Sequence, residues 1–103
     1  MTLTPKRRAT LRAEAHHLEP AVHIGQHGLT PALIQTVDDA LRTRELVKIQ
    51  LGRNADLGAR EAAQQLAAAV HADVVQVIGK TTTLYRENPE LHRSGAGVPA
   101  WRR

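Results

Sequence analysis

No cysteine occurs in the chain. Disulfides, thiolate-bound metals and a thiol nucleophile are therefore excluded, and a reducing compartment fits. Phenylalanine is missing as well, and one Tyr and one Trp make up the 2% aromatic share. The core must be built from Leu, Val, Ile and Ala, which gain less per residue than aromatic side chains. No apolar run approaches the length of a membrane span. The opening Met-Thr-Leu-Thr-Pro-Lys-Arg-Arg has no apolar segment after its charges and does not read as a secretory signal. A cytoplasmic location, with no membrane contact, is the expectation. Walker-type loops, paired carboxylates and nucleophile arrangements are lacking too. The expectation is accordingly a protein that is not an enzyme, with no cofactor and no small-molecule substrate. Glu45 and Asp38 read as surface charges and Asp73 as a strand-edge residue.

What the chain does have is the size of one ordinary domain, 103 residues with 42% apolar side chains. Lys and Arg total 14 against 10 Asp and Glu, a formal charge of +4, and the isoelectric point is near 10.3. Arg carries most of the positive charge. Its planar fork matches phosphate oxygens and stacks on bases, which favours a nucleic-acid partner. Net charge kept for solubility is the competing explanation.

Thr4 and Pro5 begin the first helix as N-cap and first-turn residue, and Leu11, Ala15 and Leu18 form its apolar stripe. Lys6, Arg7, Arg8 and Arg12 crowd its first turns, where cations oppose the helix dipole. Phosphate contact is one explanation and a solvated face the other. Glu19-Pro20 is expected to end this helix. Ala21–Ile24 reads as a strand, and Thr30-Pro31 opens a second helix with Leu33, Ile34, Val37, Ala40 and Leu41 on one side. Glu45–Leu51 alternates as a half-buried strand, with Lys48 and Gln50 on its wet face. Asp56 is a candidate N-cap for an alanine-rich third helix whose buried face runs from Ala59 to Val70. Asp73–Ile78 and Thr82–Arg86 read as a hairpin. The order α-β-α-β-α-β-β predicts a two-layer α/β (α+β) fold with a mixed four-stranded sheet, in which the strand-helix-strand units pair in parallel and one sheet face is partly open. From Glu87 the pattern dissolves into Asn88-Pro89, Ser94-Gly95-Ala96-Gly97 and Val98-Pro99. The expected division is a domain over 1–86 and a flexible basic tail over 87–103 that carries Trp101.

Between the first strand and the second helix stands Gly25-Gln26-His27-Gly28. Glycines at both ends of a tight turn permit positive φ and leave no Cβ in a ligand's way. The helix behind it offers unpaired N–H groups and a positive dipole end, so an anion can be held against main-chain amides. An ordinary strand-to-helix turn is the plain alternative. His16, His17, His23 and His27 lie close in sequence, but no carboxylate or thiolate accompanies them, and no metal site is expected. A protonated His27 is a candidate phosphate contact. Base stacking is limited to Tyr85, if exposed, and Trp101.

An ordered series of short matches then points to a family. It comprises Leu11-Arg12, Ala15-His16, Leu18, Pro20, Val22, Ile24-Gly25, Gly28-Leu29-Thr30, Ala40-Leu41, Glu45-Leu46-Val47-Lys48, Val75-Gln76-Val77-Ile78-Gly79-Lys80 and Leu84-Tyr85-Arg86. The chain resembles the CRM domain (chloroplast RNA splicing and ribosome maturation), in its small single-domain bacterial form, the YhbY-type proteins. The resemblance implies a fold like the C-terminal domain of translation initiation factor three. It also implies RNA binding through the Gly-x-x-Gly loop, and association with ribosomal RNA in precursors of the large ribosomal subunit. Carried onto this chain, the loop is Gly25, Gln26, His27 and Gly28. Gln26 replaces the family's usual basic residue, and Arg44 stands where a histidine is common. Charge near the loop must then come from His27, Arg7, Arg8, Arg12, Lys48, Lys80 and Arg86. A protein-binding module of an assembly complex, using the open sheet face without RNA, is the alternative.

Overall fold

The computed structural model describes residues 4–53, 55 and 57–88. Helix α1 spans Pro5–Ala15, β1 Val22–Ile24, α2 Pro31–Arg44, β2 Leu46–Leu51, α3 Ala59–Val70, β3 Asp73–Ile78 and β4 Thr81–Tyr85. This is an α+β fold with three helices and a mixed four-stranded sheet, in the expected element order. Both Thr-Pro starts act as the sequence indicates. Thr4 Oγ1 accepts from Arg7 N and Thr30 Oγ1 from Leu33 N, each at 3.1 Å. The expected Asp56 cap and most of the expected tail, Trp101 included, lie outside the described residues. Gly58 occupies the N-cap position of α3. Among the described residues no helix is long and apolar enough to cross a membrane.

The sheet order is β1-β2-β4-β3. β1 and β2 pair in parallel, with Ile24 opposite Leu51, and β4 runs antiparallel to both β2 and β3. The expected parallel pairing therefore holds for the first unit and not for the second. β3 points the same way as β2 but lies one strand farther out, and the hairpin return fills the gap between them. Buried Thr82 and Thr83 sit in this central strand.

α2 and α3 cover one face. Val37, Leu41, Ala62, Leu66 and Val70 meet Val22, Ile24, Val47, Ile49, Leu51 and Leu84 in the main core. α1 lies on the other face, where Leu11 and Leu18 pack on Leu46, Val75 and Tyr85. α1 ends at Ala15, earlier than Pro20 requires. His17 N donates to Glu14 O and Leu18 N to Ala15 O in a tight turn. Lys48 Nζ then donates to the carbonyls of Ala15 and Leu18 at 3.2 and 3.3 Å. A cation at a helix C-terminus satisfies orphan carbonyls and favours the dipole.

Candidate nucleic-acid interface

The strand register fixes which connections share an end of the sheet. β1 finishes at Ile24 beside Leu51. Gly52 N then donates to Ile24 O at 2.8 Å, and Leu51 N donates to Lys80 O at 2.8 Å. A Cβ on Gly52 would lie 3.2 Å from Ile24 O, so only glycine lets these strands approach so closely without adjustment. The turn 25–28, the start of the loop after β2 and the Gly79-Lys80 hairpin turn are thereby gathered at one end.

Within the first of these, Gly28 N donates to Gly25 O at 3.1 Å and Thr30 N to Gly28 O at 3.2 Å. Gly28 has φ +65°, a conformation that strains any L side chain, and both glycines face open space. Gly25, Gln26 and His27 are exposed. The helix behind offers fewer donors than the sequence implies. Thr30 N and Leu33 N are already bonded, and Pro31 has no N–H. Ala32 N–H is the one left in the first turn among the described residues. An anion here would be held by the turn amides and neighbouring side chains more than by α2.

Lys80 is exposed in the adjoining turn, and so is Arg53 just after Gly52. Arg53 was not among the sequence candidates. Its signal was a cation directly after a glycine that closes a strand. From this end the α1 face of the sheet continues as a mostly polar surface that is only partly covered, with Thr83 buried in it and Ile78 exposed. Its rows are His23, Gln50, Thr81 and Ile78, then Lys48, Thr83 and Gln76, as the pairing shows. His16 overhangs it from the end of α1.

The remaining cations are elsewhere. Arg12 is exposed on α1. Arg7 and Arg8 are partly buried at the far end of the sheet. Arg7 Nη2 donates to Tyr85 Oη at 2.8 Å, with its Cζ 5.5 Å from the ring centroid. Tyr85 is buried, 3% exposed, and offers no stacking surface. Arg8 Nη1 donates to Val74 O and, at 3.4 Å, to Val75 O. These carbonyls lie where a register shift between Val74 and Gln76 interrupts the ladder, and a bulge leaves main-chain groups in need of partners. The basic first turns of α1 thus have a structural reason.

Arg86, after β4, is the most committed. Nη1 donates to Asp38 Oδ1 and Val70 O, both at 2.7 Å, and Nη2 donates to Asp38 O at 3.1 Å. This hydrogen bond lowers the Asp38 pKa below the ordinary carboxylate value. Partial burial works against the shift, and the charges of Arg86 and Arg42 assist it. Asp38 is thus an anchor for the C-terminal end of β4 and not a plain surface charge. Glu45 is not a surface charge either: it is 1% exposed, and its Oε2 accepts from Asn88 N at 2.6 Å. Asn88 Nδ2 also donates to Arg42 O at 2.5 Å. The described chain is therefore held through Asn88, two residues past the expected boundary. Of the ten candidates, the glycine turn and Lys80 come together, Lys48 joins them through the open face, and Arg7, Arg8, Arg12 and Arg86 do not.

Residues 3–86 match the family model of the CRS1 / YhbY (CRM) domain. The chain is 35% identical over 88 residues to the Probable RNA-binding protein YqeI of Bacillus subtilis, covering 85% of this chain and 92% of that one. It is 31% identical over 98 residues to a probable RNA-binding protein of Pseudomonas aeruginosa, covering 95% and 94%. The solution structure of a hypothetical protein from Staphylococcus aureus has a similar fold, with a TM-score of 0.72 at 37% identity. That match covers 84% of this chain and 91% of the other.

Proposed function

Because the chain belongs to the CRS1 / YhbY (CRM) domain family, as the match over residues 3–86 shows, we propose that it binds RNA with the end of the sheet that bears the glycine turn. The observation that carries this reading is the exposed Gly25–Gly28 turn, open above both glycines, with Lys80 and Arg53 exposed at the same end. Two relatives named as probable RNA-binding proteins support it, and so does the net charge of +4.

Main-chain amides and cations of this kind grip phosphates and position a strand without reading its sequence. Tyr85 is buried, so shape and backbone dominate recognition over aromatic stacking. In this reading the bound RNA is ribosomal, within precursors of the large subunit, and the protein assists assembly in the cytoplasm. The resemblance to ribosome-maturation proteins is what supports that finer assignment.

The test is RNA binding by wild type and by the Gly25→Asp/Gly28→Asp double variant, with circular dichroism to check folding. Two aspartates put bulk and negative charge where phosphate would sit. The expected outcome is loss of affinity by at least about tenfold in a folded protein. Undiminished affinity would leave the turn a purely structural one, with protein contact through the sheet as the better reading. Cross-linking in cell extract, with the contacted nucleotides mapped, tests the ribosomal assignment: contacts confined to other RNAs would refute it.

A further inference from the structure

The uncovered half of the α1 face holds a cleft of about 240 Å³ lined by His16, Lys48, Gln76, Ile78, Thr81 and Thr83. Two of its features lack an explanation in the fold. Thr83 is 1% exposed, and its hydroxyl has no hydrogen-bond partner among the described residues. A buried hydroxyl left unpaired costs about 1–3 kcal/mol, so such groups call for a function. Ile78 is 57% exposed, the one large hydrophobic so exposed among the described residues.

We infer that this cleft receives one unstacked base of the RNA, specifically a base with a carbonyl at pyrimidine position 4 or purine position 6, uracil or guanine. The inference rests on the RNA-binding reading above and extends it from the backbone to a base. Position is the first argument. His23, next but one before the glycine turn, pairs with Gln50, which pairs with Thr81. Thr81 of the cleft thus lies two strand spacings, about 10 Å, from the strand that leads into the turn. A single strand gripped at the turn can run across the sheet onto it.

Size is the second argument. Sites for drug-sized ligands run from about 300 to 1,000 Å³, and this cleft falls below that range. It suits a group as small as one base and not a whole cofactor.

Chemistry is the third. Ile78 supplies an apolar surface for the flat face of a base. Lys48 Nζ has three N–H donors and uses two, on Ala15 O and Leu18 O. The third N–H and the Thr83 hydroxyl can both donate to a carbonyl oxygen. Uracil O4 or guanine O6 accepts there, whereas adenine and cytosine present an amino group that also donates. A cation beside that amino group is a mismatch, so the cleft discriminates by leaving donors unpaired.

The test uses oligouridylate and oligoadenylate of equal length with wild type, Thr83→Val, Ile78→Ala and the Gly25→Asp/Gly28→Asp variant. Valine has the shape of threonine and removes only the unpaired hydroxyl, so Thr83→Val keeps the fold. Wild type is expected to bind oligouridylate about three- to tenfold more tightly than oligoadenylate. In Thr83→Val that preference falls toward unity through loss of oligouridylate affinity, with oligoadenylate unchanged. Ile78→Ala weakens both, because it removes the packing surface for either base. If both cleft variants bind oligouridylate as wild type does while the glycine variant loses it, the cleft is not a base site and the loop reading stands. Should wild type bind neither RNA, both proposals fall together.

Discussion

The two ends of this small sheet carry the same kind of side chain to opposite effect. At the end where β4 finishes, Arg7, Arg8 and Arg86 are turned inward, onto a tyrosine hydroxyl, the carbonyls of an interrupted ladder, and an aspartate with a helix-terminal carbonyl. At the other end Lys80 and Arg53 are exposed, beside a turn in which both glycines face open space. Positive charge alone therefore does not mark an interface. The Arg86 guanidinium meets protein acceptors through both Nη atoms and has little left for a phosphate, and Arg7 and Arg8 are partly buried against the fold, whereas a cation exposed on a hairpin tip presents its donors to solvent. In the proposed reading, fold maintenance falls to one end and ligand contact to the other.

Substitutions can break that division or sharpen it. Arg86→Ala strips Asp38 and Val70 O of a charged donor. It is expected to destabilise the domain by about 3 kcal/mol, seen as a midpoint shift in urea, while RNA affinity per folded molecule is kept. Arg8→Ala exposes the bulge carbonyls and is expected to lose about 1–2 kcal/mol in the same assay. Lys80→Ala should do the reverse. Its melting temperature stays put, and its RNA affinity falls a few fold, with the slope of log K against log salt reduced by about 0.7. For wild type, three single-strand phosphate contacts imply roughly a twentyfold loss between about 50 and 200 mM salt, and a flat curve would contradict the whole scheme.

The smallest effect concerns pH. The Asp38 pKa is lowered by folding, so the stability it adds is present at neutral pH and is lost as pH falls into and below the ordinary carboxylate range. Thermal melts of wild type should lose their advantage over Asp38→Asn across that acid window. A constant difference between the two would mean that the ion pair contributes nothing.

Much of this arrangement is legible in the linear sequence, for local reasons. The Thr-Pro starts of α1 and α2, the alternation of Val47, Ile49 and Leu51, and the bounds of β3 depend on residues within a few positions of one another. Family membership is legible as well, since ordered short matches survive where no single motif is decisive. The strand order is not. Thr82 and Thr83 open the expected last strand, and nothing local to them indicates that this strand is central or that both are buried. The sorting of the arginines is also hidden. Arg86 and Asp38 are 48 positions apart, and no spacing rule links them. Arg53 and the cleft around Thr83 are hidden in the linear sequence because they are composed by the register of β2, β4 and β3, which emerges only on assembly.

The placement of β4 bears on how the protein is made. The last strand in the described chain is the one that bridges β2 and β3, so a nascent polypeptide that has emerged only as far as the hairpin turn holds two separate strand edges with a gap between them. Such a chain gains little from early docking and closes when Thr81–Tyr85 becomes available to slot between its neighbours. Birth on the ribosome thus favours a single late, concerted closure over stepwise growth from the amino end.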